Sequence, residues 1–461
     1  MAFELQFLGA TERVTGSLYL LRAGTAQVLL ECGLVQGTTD EELRNREPFP
    51  FDPHDIDAVV ISHSHIDHSG RVPLLVKQGY TGPVYTHAAS KALCDIMLPD
   101  SGYLNEKEAE WENRKRARQG KAHIQPLYTR EDAEACIDLF QGLEYETPTV
   151  IAPGLTLTLF DAGHILGSSI VQLEYDDKGE RRTLVFSGDL GYRNAPLMDP
   201  TTRLRNADVV LMESTYGDRD HQPIDATLAE ITDVFESARA AQGNILIPAF
   251  TVGRTQDLLY LMAEHFDDWN LGKWKIFLDS PMGISATKVY SQYRHLFAAT
   301  LFEPKSDYPD LPNLYETRSA EESMTINEIE AGAVIIAGSG MCTGGRILHH
   351  LKNNVWRPQC HLVIVGYQAI GTLGRRLVDG EDEIRLWGDT YRVRIQRHTI
   401  GGLSAHGDQT DLVDWYGSFE NRPRVYLVHG EERGQKPLLE KLRSELHAPA
   451  EIAKYQQRIG I

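Results

Sequence analysis

The stretch Ala58-Val-Val-Ile61-Ser-His63-Ser-His65-Ile-Asp67-His68 decides how this chain is read. A short apolar run reads as a buried strand, and four potential metal ligands follow it within six residues. Imidazole and carboxylate together suit zinc and its neighbours, and catalytic zinc leaves one position open for water. Four such groups crowded on one turn would be costly to bury without a cation, so the cluster reads as a metal site on a rigid strand end.

Two later loops supply matching groups. Asp161-Ala-Gly-His164-Ile-Leu-Gly-Ser and Ser187-Gly-Asp189-Leu-Gly191 each follow a strand-like run, and glycine permits the tight turns that aim His164 and Asp189 inward. Either loop alone is weak; their force comes from following the first cluster in order. His429, in Val425-Tyr-Leu-Val-His-Gly-Glu-Glu432, ends another apolar strand and completes the set.

Outward from these loops, strands are expected at 3–8, 17–21, 27–30 and 58–61, and again at 155–160, 169–175, 183–186 and 208–212. From about Leu98 to Gly142 the chain is more helical and charged, and the mixed-charge run from Glu106 to Lys121 reads as a solvated helix face. After Tyr216, helical stretches at 227–241 and 255–266 alternate with apolar strands at 245–248, 275–278, 333–337 and 361–365. That alternation predicts a largely parallel, doubly covered sheet in a separate domain. From about Ile384 the sequence is β-rich again, with His406 and His429 at turns. The expected segments are therefore 1–212, an insertion at 213–383, and 384–461.

The 461 residues, 42% of them hydrophobic, suffice for two or three well-cored domains and exclude a disordered or fibrous chain. No stretch approaches the ~20 apolar residues that span a bilayer. The start Met-Ala-Phe-Glu-Leu-Gln lacks the basic and apolar regions of a secretion signal, so a cytoplasmic protein with no membrane partner is expected. Cys32, Cys94, Cys136, Cys342 and Cys360 are scattered without CxxC pairing and read as buried thiols in a reducing compartment. A net charge of −19 weighs against a broad nucleic-acid surface, because such affinity comes from cations that displace counterions from phosphates. A metal centre is the largest local charge in its site, which leaves room for a narrow contact surface on an acidic body.

The HxHxDH cluster with His164, Asp189 and His429 resembles the metal motifs of the metallo-β-lactamase superfamily. The resemblance implies an α/β protein built on an αββα sandwich that holds two Zn2+ ions. His63, His65 and His164 would hold one ion, Asp67, His68 and His429 the other, and Asp189 would bridge. Two zincs about 3.5–4 Å apart clamp the attacking and leaving oxygens of an in-line displacement. In Val28-Leu-Leu-Glu31-Cys-Gly33, Glu31 stands where the family generally carries an aspartate that supports the metal loop. It either reaches the same partners through a longer arm or is merely an acidic strand end.

Ligands alone do not choose among lactams, thioesters and phosphodiesters. Between Asp189 and His429 the chain carries Met212-Glu213-Ser-Thr-Tyr-Gly217, Pro248-Ala-Phe-Thr-Val-Gly-Arg254-Thr-Gln256, Leu278-Asp-Ser-Pro-Met282, Ala337-Gly-Ser339-Gly-Met341-Cys-Thr-Gly-Gly-Arg346 and Leu403-Ser-Ala-His406-Gly-Asp408. These resemble the signature of the β-CASP family, which includes bacterial RNase J, archaeal homologues and the nuclease of eukaryotic mRNA 3′-end formation. The insertion would then be an α/β β-CASP domain and the substrate RNA, single-stranded. The resemblance makes His406, Glu213 and Asp67 the catalytic residues. A hydroxide shared by the zincs would attack phosphorus while His406, oriented by Glu213, protonates the leaving 3′ oxygen, giving 5′-phosphate and 3′-hydroxyl ends. By themselves, Glu213 reads equally as a solvated strand end and His406 as a helix-start residue.

The turn Gly338-Ser-Gly-Met341, after an apolar strand and before a helix, offers backbone N–H groups to a phosphate. In the family this loop contacts substrate, which makes Ser339 the first candidate, with Arg254 and Arg346 as supporting cations. Either arginine equally suits pairing with an acid in so acidic a chain, and Arg375-Arg376 reads as RNA-facing or as plain surface. About thirty residues follow His429, so grip on RNA is expected from a two-domain cleft or from the second subunit of a homodimer. The rivals are a small-ester or lactam hydrolase on the same metals and a non-catalytic RNA-binding scaffold. The long insertion disfavours the first, and the intact ligand set the second.

Overall fold

The computed structural model describes residues 3–298, 308–366, 368–369 and 371–461. The chain divides into two compact units, one made of 1–193, 200–220 and 406–461, the other of 194–199 and 221–405.

The first unit holds two seven-stranded sheets. One runs in the order Arg458–Gly460, Phe3–Phe7, Tyr19–Ala23, Ala26–Leu30, Ala58–Val60, Val84–His87, Phe140–Leu143. The other runs Ala450–Ile452, Arg424–Leu427, Val209–Met212, Glu180–Phe186, Ser169–Asp177, Leu155–Asp161, Thr149–Ala152. Side chains alternate across a strand, and both sheets use both faces. Leu5, Phe7, Tyr19, Leu21, Val28 and Val60 from the first meet Leu157, Leu173, Leu184, Phe186 and Leu211 from the second in one buried cluster. The alternate residues Leu20, Leu29, Val59 and Ile61 pack beneath helices Val72–Lys77, Ala88–Arg118 and Arg130–Ile137. Val185, Val210 and Met212 pack on the far side against helices Gln409–Gly417 and Glu432–Leu446. The result is the four-layer αββα order, in which strand ends of both sheets carry the polar loops.

The second unit is a six-stranded, wholly parallel sheet in the order Leu314–Glu316, Lys275–Leu278, Ala333–Ala337, Ile245–Pro248, His361–Ile364, Gln396–Thr399. Its central strands Ile245–Pro248 and Ala333–Ala337 are buried at every residue, as expected of a sheet covered on both faces.

Some boundaries differ from those the sequence suggested. The units change over at 220/221 and 405/406 rather than at 212/213 and 383/384. Glu213 to Gly217 stay with the first unit because backbone and side chain are tied there: Leu190 N–H donates to Glu213 Oε1 at 2.7 Å, and Ser214 N–H to His429 O at 3.2 Å. The hairpin Glu383–Leu386/Asp389–Arg392 stays with the second unit, since Ile384 and Leu386 share a core with Ile335 and Leu362. The long helix begins at Ala88, ten residues before the expected start, with His87 Nδ1 accepting from Ala89 N–H at 3.2 Å. All five cysteines are buried free thiols, and no described helix is long and apolar enough to cross a membrane.

Candidate metal centre

The loop that follows Ala58–Val60 is pinned by backbone before any side chain matters. Ser17 N–H donates to Asp67 O at 3.0 Å, Cys32 N–H to His68 O at 2.8 Å and Leu34 N–H to Ile66 O at 2.9 Å. The approach is so close that a Cβ on Gly33 would lie 1.6 Å from the Asp67 carbonyl oxygen. Gly33→Ala is therefore expected to force the metal loop off the strand. It should destabilise the protein by about 1–3 kcal/mol, read as a lowered unfolding midpoint, and loosen metal binding with it.

Side chains then aim the imidazoles. Ser62 Oγ lies 3.0 Å from His63 Nδ1, which leaves His63 Nε2 facing inward. Glu31 is fully buried; its Oε1 accepts from Ser62 N–H at 2.7 Å and its Oε2 lies 3.1 Å from His68 Nδ1. Burial pushes the Glu31 carboxyl up, and His68 pulls it back. Its backbone is left-handed at φ +64°, which a non-glycine residue rarely adopts, and His429 shares that feature at φ +47°. His429 is held by its N–H to Ala10 O at 2.7 Å, and its carbonyl accepts from Thr215 Oγ1 at 3.2 Å. His164 sits on a turn closed by its own N–H to Ser168 Oγ at 3.1 Å. Glu31→Gln keeps the shape but removes the charge that orients His68, so metal affinity should fall roughly 10- to 100-fold in a chelator competition.

The resulting constellation has two halves. His63, His65, His164 and Asp189 bring four ligand atoms within 4.8 Å of one another, and so do the three of Asp67, His68 and His429. Asp189 faces both. Its Oδ2 lies 3.5 Å from His63 Nε2 and 3.7 Å from His164 Nε2, while its Oδ1 lies 3.4 Å from His68 Nε2 and 3.6 Å from His429 Nδ1. Oδ1 is buried without a hydrogen bond. An unsatisfied carboxylate oxygen among converging imidazole nitrogens is a costly arrangement by itself and is what divalent cations relieve. The donor set, five histidines and two carboxylates, fits zinc.

Asp189 also belongs to a third group, with Glu213 and His406, whose ligand atoms lie within 4.8 Å of one another. Glu213 is fully buried, and its Oε1 lies 3.2 Å from His406 Nδ1; His406 Nδ1 is also 3.9 Å from Asp189 Oδ2. His406 is held at that place by a backbone bridge to Gly191 and by Gly407 N–H donating to Leu190 O at 2.7 Å. Gly191 must be glycine, since a Cβ would lie 1.9 Å from Gly163 O. Burial disfavours the charged imidazole, but Glu213 and then Asp189 outweigh it and raise the His406 pKa from 6.5 to about 9. A cation held by Asp189 would offset that residue's share and leave Glu213 as the main partner of His406.

The structure thus brings together His63, His65, Asp67, His68, His164, Asp189, Glu213, His406, His429 and Glu31 in the first unit. Ser339, Arg254 and Arg346 lie in the second. There, Ser339 Oγ accepts from Thr343 N–H at 2.9 Å. Buried Arg254 pairs with Asp257 at 3.1 Å. Arg346 Nη1 donates to buried Asp279 Oδ1 at 2.6 Å and to Thr317 O at 3.0 Å. Arg375 pairs with Asp379 and Arg376 with Glu381. Sequence reasoning missed Gly33, Ser62 and Thr215; the one available signal was their position within two residues of Glu31, His63 and Glu213.

Comparison with known proteins finds three domains in order along the chain. Residues 27–248 match the beta-lactamase superfamily domain, 255–377 the Beta-Casp domain, and 390–453 the Zn-dependent metallo-hydrolase RNA specificity domain. Ribonuclease TTHA0252 of Thermus thermophilus is 38% identical over 428 residues, covering 92% of each chain. Transcription termination factors FttA of Methanocaldococcus jannaschii and of Lokiarchaeum are 29% and 31% identical over 93% of this chain, which matches 67% of theirs. A protein of unknown function from Enterococcus faecalis V583 shares the fold across 100% of both chains, at 12% identity and a TM-score of 0.56. With three matched domains in this order and a relative 38% identical over 92% of each chain, the chain belongs to the β-CASP RNA nucleases of the metallo-β-lactamase superfamily.

Proposed function

We propose that the protein is a zinc-dependent ribonuclease of the cytoplasm that hydrolyses phosphodiester bonds of single-stranded RNA, leaving 5′-phosphate and 3′-hydroxyl ends. His63, His65 and His164 would hold one Zn2+, Asp67, His68 and His429 a second, with Asp189 shared. When bound, the pair supplies Lewis acidity and a water made nucleophilic near neutral pH. Hydrolysis also needs a proton at the departing 3′ oxygen. Glu213 occupies His406 Nδ1, which leaves the Nε2 proton to be given to that oxygen. Ser339 is the first candidate to meet an RNA phosphate. Arg254 and Arg346, already engaged by Asp257 and Asp279, would act by bracing that region.

The observation that carries this reading is the Glu213–His406 pair set against the carboxylate that faces both ligand groups. A hydrolase of activated small esters, whose leaving group needs no proton, has no use for that pair. The test is side-by-side turnover of single-stranded RNA and bis(p-nitrophenyl) phosphate by stripped and zinc-reloaded protein. Zinc-dependent RNA cleavage is expected; turnover of the small ester alone would replace the reading with the small-substrate hydrolase.

A further inference from the structure

The distal half of helix Ala88–Arg118 carries a feature the metal centre does not use. Residues 114–121, Arg-Lys-Arg-Ala-Arg-Gln-Gly-Lys, hold five cations and no acid in a chain whose net charge is −19. Just before them, Trp111 is 65% exposed and Leu104 is 52% exposed. Leu104, Trp111 and Arg118 are seven residues apart and Arg114 and Lys115 fall at i+3 and i+4 from Trp111, so all five lie on one helix face. The opposite side is anchored: Asn113 Nδ2 donates to Ile124 O at 2.9 Å and Arg116 Nε to Ala122 O at 2.6 Å. Lys115 Nζ stands 5.6 Å from the Trp111 ring centroid. Upstream acids are already used, Glu110 by Lys107 at 3.0 Å and Glu112 by Lys115 at 3.7 Å. Arg114, Arg118 and Lys121 are exposed and have no acidic partner among the described residues.

We propose that this face is a second RNA-binding surface, in which Arg114, Lys115, Arg118 and Lys121 track backbone phosphates and a base stacks on Trp111. The inference rests on the ribonuclease reading above and adds to it a place where long substrates are held away from the metals. An exposed aromatic beside a run of cations, three of them without an acidic partner among the described residues, suits sequence-tolerant binding of single strands. An acidic peptide would satisfy the charges but leave the indole without a planar partner, so RNA is the better fit. The helix also leads from the site: its first turn is tied to the His164 loop by Ser90 Oγ donating to Gly167 O at 2.7 Å. At 1.5 Å per residue, Trp111 lies roughly 35 Å along the axis from that end. An RNA of about four nucleotides, at about 3.4 Å each, cannot reach both places, whereas one of about thirty can.

The full-length protein, its Trp111→Ala variant and its Arg114→Ala/Arg118→Ala variant are compared for binding and cleavage of both RNAs across a salt series. Each variant is expected to bind the long RNA about tenfold more weakly, with KM raised and kcat unchanged. For the double variant the slope of log affinity against log salt should become shallower by about 1.4. Cleavage of the short RNA and the unfolding midpoint should match wild type. Wild-type affinity and salt slope in both variants would overturn the surface, and loss of poly-glutamate binding instead would reassign it to an acidic protein partner. Failure of the ribonuclease reading shows separately, as wild type that cuts neither RNA.

Discussion

Replacing His406 with alanine is expected to slow RNA cleavage roughly a hundred- to ten-thousand-fold while metal content stays at the wild-type level. The size follows from the role: a positioned general acid supplies the proton that a poor alkoxide leaving group needs, and water is a weak substitute. Metal content should hold because His406 lies outside both His63–His65–His164–Asp189 and Asp67–His68–His429; in a third cluster with Asp189 and Glu213 its Nδ1 is taken by Glu213 at 3.2 Å and lies 3.9 Å from Asp189. Metal analysis of the purified variant beside its single-turnover rate checks both halves. A variant that loses metal along with activity would show His406 to be a ligand rather than an acid. A substrate with a good leaving group, such as an RNA bearing a 3′-bridging sulfur at the cleaved bond, should recover much of the lost rate, because a thiolate leaves without a proton.

The second large effect is expected at Asp189. Its two oxygens face different ligand groups, at 3.4–3.7 Å from four histidine nitrogens, and the residue is buried. Asparagine matches it in shape but replaces one oxygen with an NH2 group, which donates and cannot ligate. One ligand group then loses its shared anion, and the other faces N–H protons where it needs a lone pair. Asp189→Asn is expected to bind at most one zinc in place of two and to lose RNA cleavage by about three orders of magnitude or more, since both electrostatic clamping and water activation go with the pair. Equilibrium dialysis with metal analysis reads the stoichiometry. Two tightly held zincs in the variant would contradict the bridging role.

What could be read from the sequence, and what could not, divides along physical lines. The ligands were legible because each ends an apolar run: Ile61 before His63, Phe160 before the His164 loop, Phe186 before Asp189, Val428 before His429. Burial of the run places the polar group, so local pattern carries the information. The second unit was legible for the same reason, since strands such as Ala333–Ala337 are apolar throughout. The supports were not, because they depend on backbones far apart in sequence meeting. Nothing local to Gly33 reports the Asp67 carbonyl, and nothing near Thr215 reports His429, more than two hundred residues away. Glu31 lay between: its side chain was noticed, but whether it reached Ser62 and His68 depended on a left-handed backbone that no pattern reveals. The helix start at Ala88 was hidden because 84–98 is apolar enough to read as strand or helix, and the residue that settles it, His87, acts as a cap only in that one conformation.

The central claim is that water attacks phosphorus and the 3′ oxygen departs with a proton from His406. The most direct measurement is cleavage of end-labelled single-stranded RNA by the zinc-loaded protein in ¹⁸O-enriched water, with mass analysis of both product ends. The account predicts one ¹⁸O atom in each new 5′-phosphate and an unlabelled 3′-hydroxyl on the other fragment. Products ending in an unlabelled 2′,3′-cyclic phosphate, or in a 3′-phosphate that itself carries the ¹⁸O, with a free unlabelled 5′-hydroxyl on the other fragment, would contradict it.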